Sequence, residues 1–267
     1  MKLTPIQPDI AEFPAEFHSL LRGAALYDSS CSQGARVIFI DKNQGYFLKS
    51  APAGTMAREA EMMRYFHGKG LSAEVLSYLC EGDRDWFLTA KIPGDDCTAA
   101  TYLEQPERLC DLLAEQLLLL HSVDCTDCPA PTHTERNLAI ASHHFHTRQY
   151  NAGRFPGNRG YDTPEAAYAV IEGQKHLLQA DTLLHGDCCL PNILLDDWKF
   201  SGYIDLGSSG VGDRHADLFS VLWSLSFNLG TDKYRQRFID AYGRDRVDEE
   251  RLRLIAAIEV FASSYAE

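Results

Sequence analysis

Long hydrophobic runs are absent: no apolar stretch reaches the roughly 18 residues of a membrane span. Leu117 to Leu120 is only a short burst inside an amphipathic stretch. The segment Met1 to Glu16 has no basic start followed by an apolar core, so no secretory signal is expected. The eight cysteines show no disulfide-framework spacing, which points to free thiols in a reducing cytoplasm. Cys125-x-x-Cys128 has no second CxxC or His-x3-His to complete a zinc site, and adjacent Cys188 and Cys189 are badly placed to share one ion. The cysteines therefore read as structural or inert, and His143, His144 and His146 as surface histidines. Internal repeats and low-complexity linkers are also missing. Positive charge is scarce, with 25 Lys+Arg against 38 Asp+Glu and a formal net charge of −13. Phosphate backbones need cationic surface, so neither a nucleic acid nor a membrane is expected as partner.

What is there is an ordinary globular mix, 45% hydrophobic and 24% charged over 267 residues. That length suits one large domain or two lobes sharing a cleft. Residues 1–93 are nearly neutral at net −1, and residues 94–267 carry the remaining −12. Solubility explains such an excess, and so does attraction of a cationic, polyamine-like substrate.

The hydrophobic period changes near residue 94. Before it, Val37–Ile40 and Tyr46–Lys49 flank turn residues Asp41–Gly45 as a hairpin, and Val75–Cys80 with Trp86–Ala90 make a second. Between them Thr55 is placed to cap a helix running to about His67. After residue 94, Leu109, Leu112, Leu113, Leu117 and Leu120 form one helical stripe behind Pro106, and Thr163-Pro164-Glu165 starts another helix. Further helices are predicted near 214–229, 232–242 and 248–262, where Asp248-Glu249-Glu250 suits a helix N-terminus. Asn151–Asp162 reads as a Gly-, Asn- and Pro-rich loop. The expected architecture is α+β: a small antiparallel sheet with one key helix over 1–93, and a larger, mainly helical part over 94–267.

The informative stretch is His185-Gly186-Asp187-Cys188-Cys189-Leu190-Pro191-Asn192-Ile193-Leu194-Leu195, followed by Tyr203-Ile204-Asp205-Leu206-Gly207. Phosphoryl transfer needs Mg²⁺ against the phosphate oxygens and a separate carboxylate to take the proton of the attacking hydroxyl. An Asn amide oxygen and an Asp carboxylate are hard ligands suited to Mg²⁺. A hairpin of Ile193–Leu195 and Phe200–Ile204 across Asp196–Lys199 would bring Asn192 and Asp205 together. Asp187 is then the candidate base, and His185 reads as a brace of the loop.

This pattern resembles a kinase catalytic loop, and specifically the aminoglycoside phosphotransferase family near its 3′-phosphotransferases. Ser201–Gly207 and Gly212-Asp213-Arg214…Asp217 carry the resemblance further, and it spans about residues 26–261. It implies a protein-kinase-like, two-lobed fold and a Mg²⁺-dependent enzyme that uses ATP, or GTP, to phosphorylate a cationic aminoglycoside, as a monomer or homodimer. By the same resemblance Lys49 holds the non-transferred phosphates with Glu59 as its ion-pair partner. Ser32 lies in a phosphate-covering turn, and backbone groups of Ala90 and Ile92 bind adenine. Asn192 and Asp205 hold the metal, and Asp162, Glu259 and Phe261 belong to the substrate site.

The sequence also departs from the family. Ile258 stands where the family has Asp, Trp223 where it has Arg, and Phe227-Asn228 where it often has an acidic pair. Trp223 and Phe227 read as core residues. These departures keep two alternatives open: a kinase of another small hydroxylated amine or sugar, and a nucleotide-binding pseudoenzyme.

Overall fold

The computed structural model describes residues 3–31, 34–151 and 160–262. The chain forms two compact units, Met1–Cys97 with Pro191–Gly207, and Thr98–Leu190 with Ser208–Glu267.

The first unit is built on β1 (Thr4–Ile6), α1 (His18–Leu21), β2 (Ala25–Asp28), β3 (Arg36–Asp41), β4 (Tyr46–Pro52), α2 (Ala57–Gly68), β5 (Val75–Glu81) and β6 (Arg84–Ala90). The six strands form one antiparallel sheet in the order β1-β2-β3-β4-β6-β5. Asn43 (φ 54°) and Gly45 (φ 87°) supply the left-handed turn between β3 and β4. Side chains alternate across a strand, so Ile38, Ile40, Leu48, Trp86 and Leu88 share one face, buried on Phe13, Phe17, Leu21 and Leu26. Lys49 follows Leu48 and belongs to the opposite face.

Thr55 does not cap α2. Its hydroxyl donates back to the Pro52 carbonyl at 2.7 Å. The helix-opening N–H of Met56 instead goes to the buried Asp85 carboxylate at 2.9 Å. A tertiary carboxylate on β6 has taken the work of a local cap.

Three short strands complete this unit: β7 (Asp95–Asp96), β9 (Ile193–Asp196) and β10 (Lys199–Tyr203), in the order β10-β9-β7. The β9–β10 turn is two residues, Asp197 (φ 46°) and Trp198 (φ 63°), both left-handed as a type I′ hairpin requires. Gly94 (φ 89°) lies so close to this hairpin that an added Cβ would run into the Leu195 carbonyl. Residues 94–97 and 191–207 therefore count with the first unit, whereas an expected boundary after residue 93 put them in the second. The periodicity change marks where local patterning alters; strand pairing of Asp95 with Leu195 and Asp96 with Leu194 decides membership.

The second unit holds α3 (Ala100–Leu103), α4 (Pro106–His121), α5 (His133–Thr147), α6 (Pro164–Gln174), β8 (Thr182–Leu184), β11 (Gly210–Gly212), α7 (His215–Leu229), α8 (Arg235–Tyr242) and α9 (Glu249–Ala262). β8 and β11 pair antiparallel. On α4 the stripe Leu109, Leu113, Leu117 and Leu120 is buried, and α8 packs on α4 as α5 packs on α9. Thr163 caps α6 by accepting the Ala166 N–H at 3.1 Å, and Asp248 accepts the Glu250 N–H at 2.8 Å at the start of α9. Among the described residues, no helix is long and apolar enough to cross a membrane.

Candidate active site

In the first unit, Lys49 on β4 lies between Val37 and Phe87 in register. Its ammonium donates to both carboxylate oxygens of Glu59 on α2, at 2.9 and 2.8 Å, and to Asp205 Oδ1 at 3.0 Å. Burial works against the Lys49 charge, but the two carboxylates outweigh it and raise the ammonium above its ordinary pKa. Burial pushes the Glu59 carboxyl up, the Lys49 ammonium pulls it down, and the negative charge of Asp205 adds to the rise. One cation thus serves two anions. Glu59 is 9% exposed and Asp205 is 55% exposed at the side chain, so the surplus negative charge sits at the solvent-facing carboxylate.

Asn192 precedes β9 and Asp205 follows β10. The Ile204 N–H donates to the Asn192 carbonyl at 3.1 Å, so the base of the hairpin brings these two positions together. Asp205 takes a left-handed backbone (φ 60°), a conformation Asp accepts more readily than most residues. The pair offers hard oxygen donors beside a surplus negative charge, which fits Mg²⁺. Among the described residues no group of three or more His, Cys, Asp or Glu side chains could hold a metal ion.

The Ala90 N–H is spent on the Glu74 carbonyl at 3.0 Å. What Ala90 offers a base is therefore its carbonyl oxygen. The Ile92 side chain is buried and packs so closely over Gly202 that a Cβ there would come within 2.7 Å of it. Ser32 lies outside the described residues.

In the second unit, the loop after β8 is held from behind by α7. The fully buried Asp217 accepts the backbone N–H groups of His185 and Gly186, each at 2.8 Å. Its Oδ2 also lies 3.3 Å from His121 Nε2, and His121 Nδ1 lies 2.7 Å from the Tyr242 hydroxyl. A carboxylate only accepts, so in the neutral ring His121 carries its hydrogen on Nε2 and Tyr242 donates to Nδ1. Burial pushes the Tyr242 phenol up to about 12, which keeps that donor protonated. Burial also works to raise Asp217, but the hydrogen bonds from His121 and the Gly186 N–H, with the nearby His121 and His185 rings, win and depress it.

Farther along, the Leu190 N–H donates to Ser224 Oγ at 3.0 Å. Gly186 (φ 83°) has no room for a Cβ, which would meet the Ser208 carbonyl. Asp187 is half-buried in this clamped loop, and its N–H donates to His185 Nδ1 at 3.2 Å. Asp213 anchors the approach to α7 by accepting from the Gln179 and His215 N–H groups at 2.8 and 2.9 Å and from the His215 ring at 2.6 Å.

The three expected substrate residues fare differently. Asp162 is exposed and Glu259 half-buried. The negative charge of Glu259 is the last of the influences that raise the Cys189 thiol. Phe261 is a correction. Its side chain is fully buried and packs edge-on against Phe145, Tyr150 and Tyr168, so its ring belongs to the core. Trp223 and Phe227 are the opposite correction. Expected in the core, they are 39% and 71% exposed and stack on each other at 5.2 Å. The buried positions of α7 are His215, Ala216, Asp217, Leu218, Val221, Ser224 and Leu225, and the two rings lie on the flank beside that face. A pocket of about 340 Å³ among α7, α8 and α9 includes Trp223, Asp232, Arg235 and Glu249 in its wall, and none of Asp162, Asp187 or Glu259.

A family model described as the phosphotransferase enzyme family matches residues 32–255. The chain belongs to this family. The phosphotransferase is 50% identical, over 97% of its length and 98% of the relative's, to a probable aminoglycoside 3′-phosphotransferase of Lactococcus lactis subsp. lactis (strain IL1403). It is 31% identical, over 80% of its length and 83% of the relative's, to an aminoglycoside 3′-phosphotransferase of Niallia circulans. A crystal structure of an aminoglycoside-3′-phosphotransferase of type VIII superposes with a TM-score of 0.76 at 24% identity, covering 94% of this chain and 95% of that one. The phosphotransferase thus has their kinase-like α+β fold. Residues that sequence reasoning did not single out as functional are His121, Cys189, His215 and Ser224. Cys189 had a signal, standing two residues from Asp187; His121 had none, because its partner Asp217 lies 96 residues away.

Proposed function

We propose that the chain transfers the γ-phosphoryl group of ATP to a hydroxyl of an aminoglycoside, the 3′-hydroxyl first, and thereby confers resistance to that antibiotic. The observation that carries the phosphoryl-transfer reading is the Lys49 ammonium shared by Glu59 and Asp205. An ammonium held in place by a buried carboxylate is a fixed cation for the phosphates that stay with the leaving nucleoside diphosphate. The substrate class is supported by the two relatives named above and by the acidic 94–267 region, since carboxylates suit protonated amines.

Asn192 and Asp205 would hold Mg²⁺, which when bound neutralises charge on the transferred group. Asp187 accepts the proton of the attacking hydroxyl as the new O–P bond forms and the bond to the diphosphate oxygen breaks. Asp217 keeps the Asp187 loop in one conformation by holding the N–H groups of His185 and Gly186. Asp162 and Glu259 bind ammonium groups of the acceptor. The carbonyl of Ala90 and the backbone of Ile92 receive the base, and Ser32 the phosphates. All eight cysteines are free thiols, which suits a reducing cytoplasm.

The exposed aromatic pair Trp223–Phe227 favours a second reading, a kinase of a less highly charged hydroxylated amine or sugar. One experiment decides between them. The chain is assayed by nucleoside diphosphate release with ATP and with GTP, against aminoglycosides with and without a 3′-hydroxyl and against simple amino sugars. Turnover confined to aminoglycosides bearing the 3′-hydroxyl is expected. Turnover only on amino sugars selects the second reading, and nucleotide binding without any turnover selects the pseudoenzyme.

A further inference from the structure

We propose that the thiol of Cys189 is a positioning residue for Asp187, aiming the carboxylate that takes the substrate's proton. This rests on the reading of Asp187 given above. Cys189 Sγ lies 3.2 Å from Asp187 Oδ1, inside the range of an S–H···O⁻ hydrogen bond. The Cys189 N–H also donates to the Asp187 carbonyl at 2.8 Å, so the two residues are locked by a backbone bond and a side-chain bond at once. The turn itself is fixed from α7, where Ser224 Oγ takes the next N–H, that of Leu190, at 3.0 Å.

Three oxygens surround the sulfur: the Asp187 carboxylate and the Ser220 carbonyl as acceptors, and the Ser224 hydroxyl, which also bonds to it. The Ser220 carbonyl lies at 3.9 Å, and the nearer, charged carboxylate oxygen outcompetes it. The thiol also stays a thiol. Burial, and after it the negative charge of Asp187, hold its pKa well above the ordinary cysteine value, so the sulfur remains a hydrogen donor at working pH rather than a nucleophile.

A thiol is a weak donor, and that suits the task. A strong donor on the same oxygen would stabilise the carboxylate and make it a poorer base. An S–H bond fixes the rotamer of Asp187 while leaving most of its basicity, and it commits Oδ1, so that the other oxygen is the one directed at the acceptor hydroxyl. The contribution is orientation, which belongs to kcat and not to nucleotide binding.

The test uses the full-length chain with Mg-ATP and kanamycin A, comparing Cys189→Ala, Cys189→Ser and Asp187→Asn. Cys189→Ala is expected to lower kcat on the order of tenfold while leaving KM for ATP unchanged, and Cys189→Ser, which keeps a donor, is expected to regain part of the loss, short of the parent because the stronger hydroxyl donor makes Asp187 a poorer base. An unchanged kcat in Cys189→Ala overturns the proposal. So does a Cys189→Ser variant as slow as Cys189→Ala with an equal fall in melting temperature, since that is packing alone. Full turnover by Asp187→Asn overturns the reading of Asp187 itself, separately from the thiol. A readout independent of turnover is the S–H stretching band, isolated as the difference between the parent chain and Cys189→Ser. It is expected to move to higher frequency in Asp187→Ala, and an unmoved band contradicts the hydrogen bond.

Discussion

The carboxylate of Asp217 on α7 accepts the backbone N–H of Gly186 at 2.8 Å, one residue before Asp187. It takes the His185 N–H equally closely, with no exposure to water. A neutral amide in its place would present an N–H₂ to one of those donors. Asp217→Asn is therefore expected to cost about 3 kcal/mol at neutral pH. The pH dependence follows from the depressed pKa of Asp217. A depressed acid stabilises the fold fully above the ordinary aspartate value of 3.8, and that contribution fades as pH falls below it through the folded-state value. Urea midpoints of parent and variant should differ most at neutral pH and draw together in acid. A gap that widens on acidification contradicts the assignment.

Lys49 is held by Glu59 and Asp205 together, so its loss removes a fixed cation and strands a buried anion. Lys49→Met is expected to weaken ATP binding roughly 10- to 100-fold by titration calorimetry. Lys49→Arg should recover little of it, because a planar guanidinium does not reproduce a point ammonium. ATP affinity within threefold of the parent in Lys49→Met would remove Lys49 from the nucleotide site.

The local signals in the sequence located the hairpins, the helices α4, α6, α7, α8 and α9, and the turn within Asp196–Lys199. Each depends on residues close in the chain. What stayed hidden depends on distant partners. The Thr55 cap gave way to Asp85, 29 residues from the Met56 N–H it receives. β1 and β2 are three and four residues long, and they became strands only by pairing across the sheet. α5 fully buries only His133 and Ala141, and the short stripe that Leu138 and Phe145 add beside Ala141 is interrupted by polar and histidine residues. The spacing of Asp187, Asn192 and Asp205 was legible as chemistry, and Lys49 and Glu59 only through the family resemblance, whereas the His121–Asp217 support beneath the loop was not legible.

One phenylalanine expected beside the substrate is buried, and one expected in the core is exposed. Phe261 is enclosed by three aromatic rings, and Phe261→Ala should cost about 3–5 kcal/mol. Phe227 is 71% exposed, and Phe227→Ala should stay within about 0.5 kcal/mol. Denaturant titration of both variants checks the pair, and equal losses would contradict the burial assigned to each.

Gly186 combines φ 83° with the Ser208 carbonyl against its α-carbon. Gly186→Ala is expected to destabilise by about 2 kcal/mol, or to keep its stability only by shifting the loop and losing turnover. Calorimetric melting together with kcat measures both. A variant unchanged in each would show that the loop has room the structure denies it.

The central claim is that Asp187 serves the acceptor's proton while nucleotide binding rests on other residues. Its most direct test is Asp187→Asn, followed by nucleoside diphosphate release with kanamycin A and by ATP titration calorimetry on the same sample. The account predicts a kcat lower by at least about 100-fold with the ATP dissociation constant within about threefold of the parent. A kcat within tenfold of the parent, or ATP binding lost along with turnover, would contradict it.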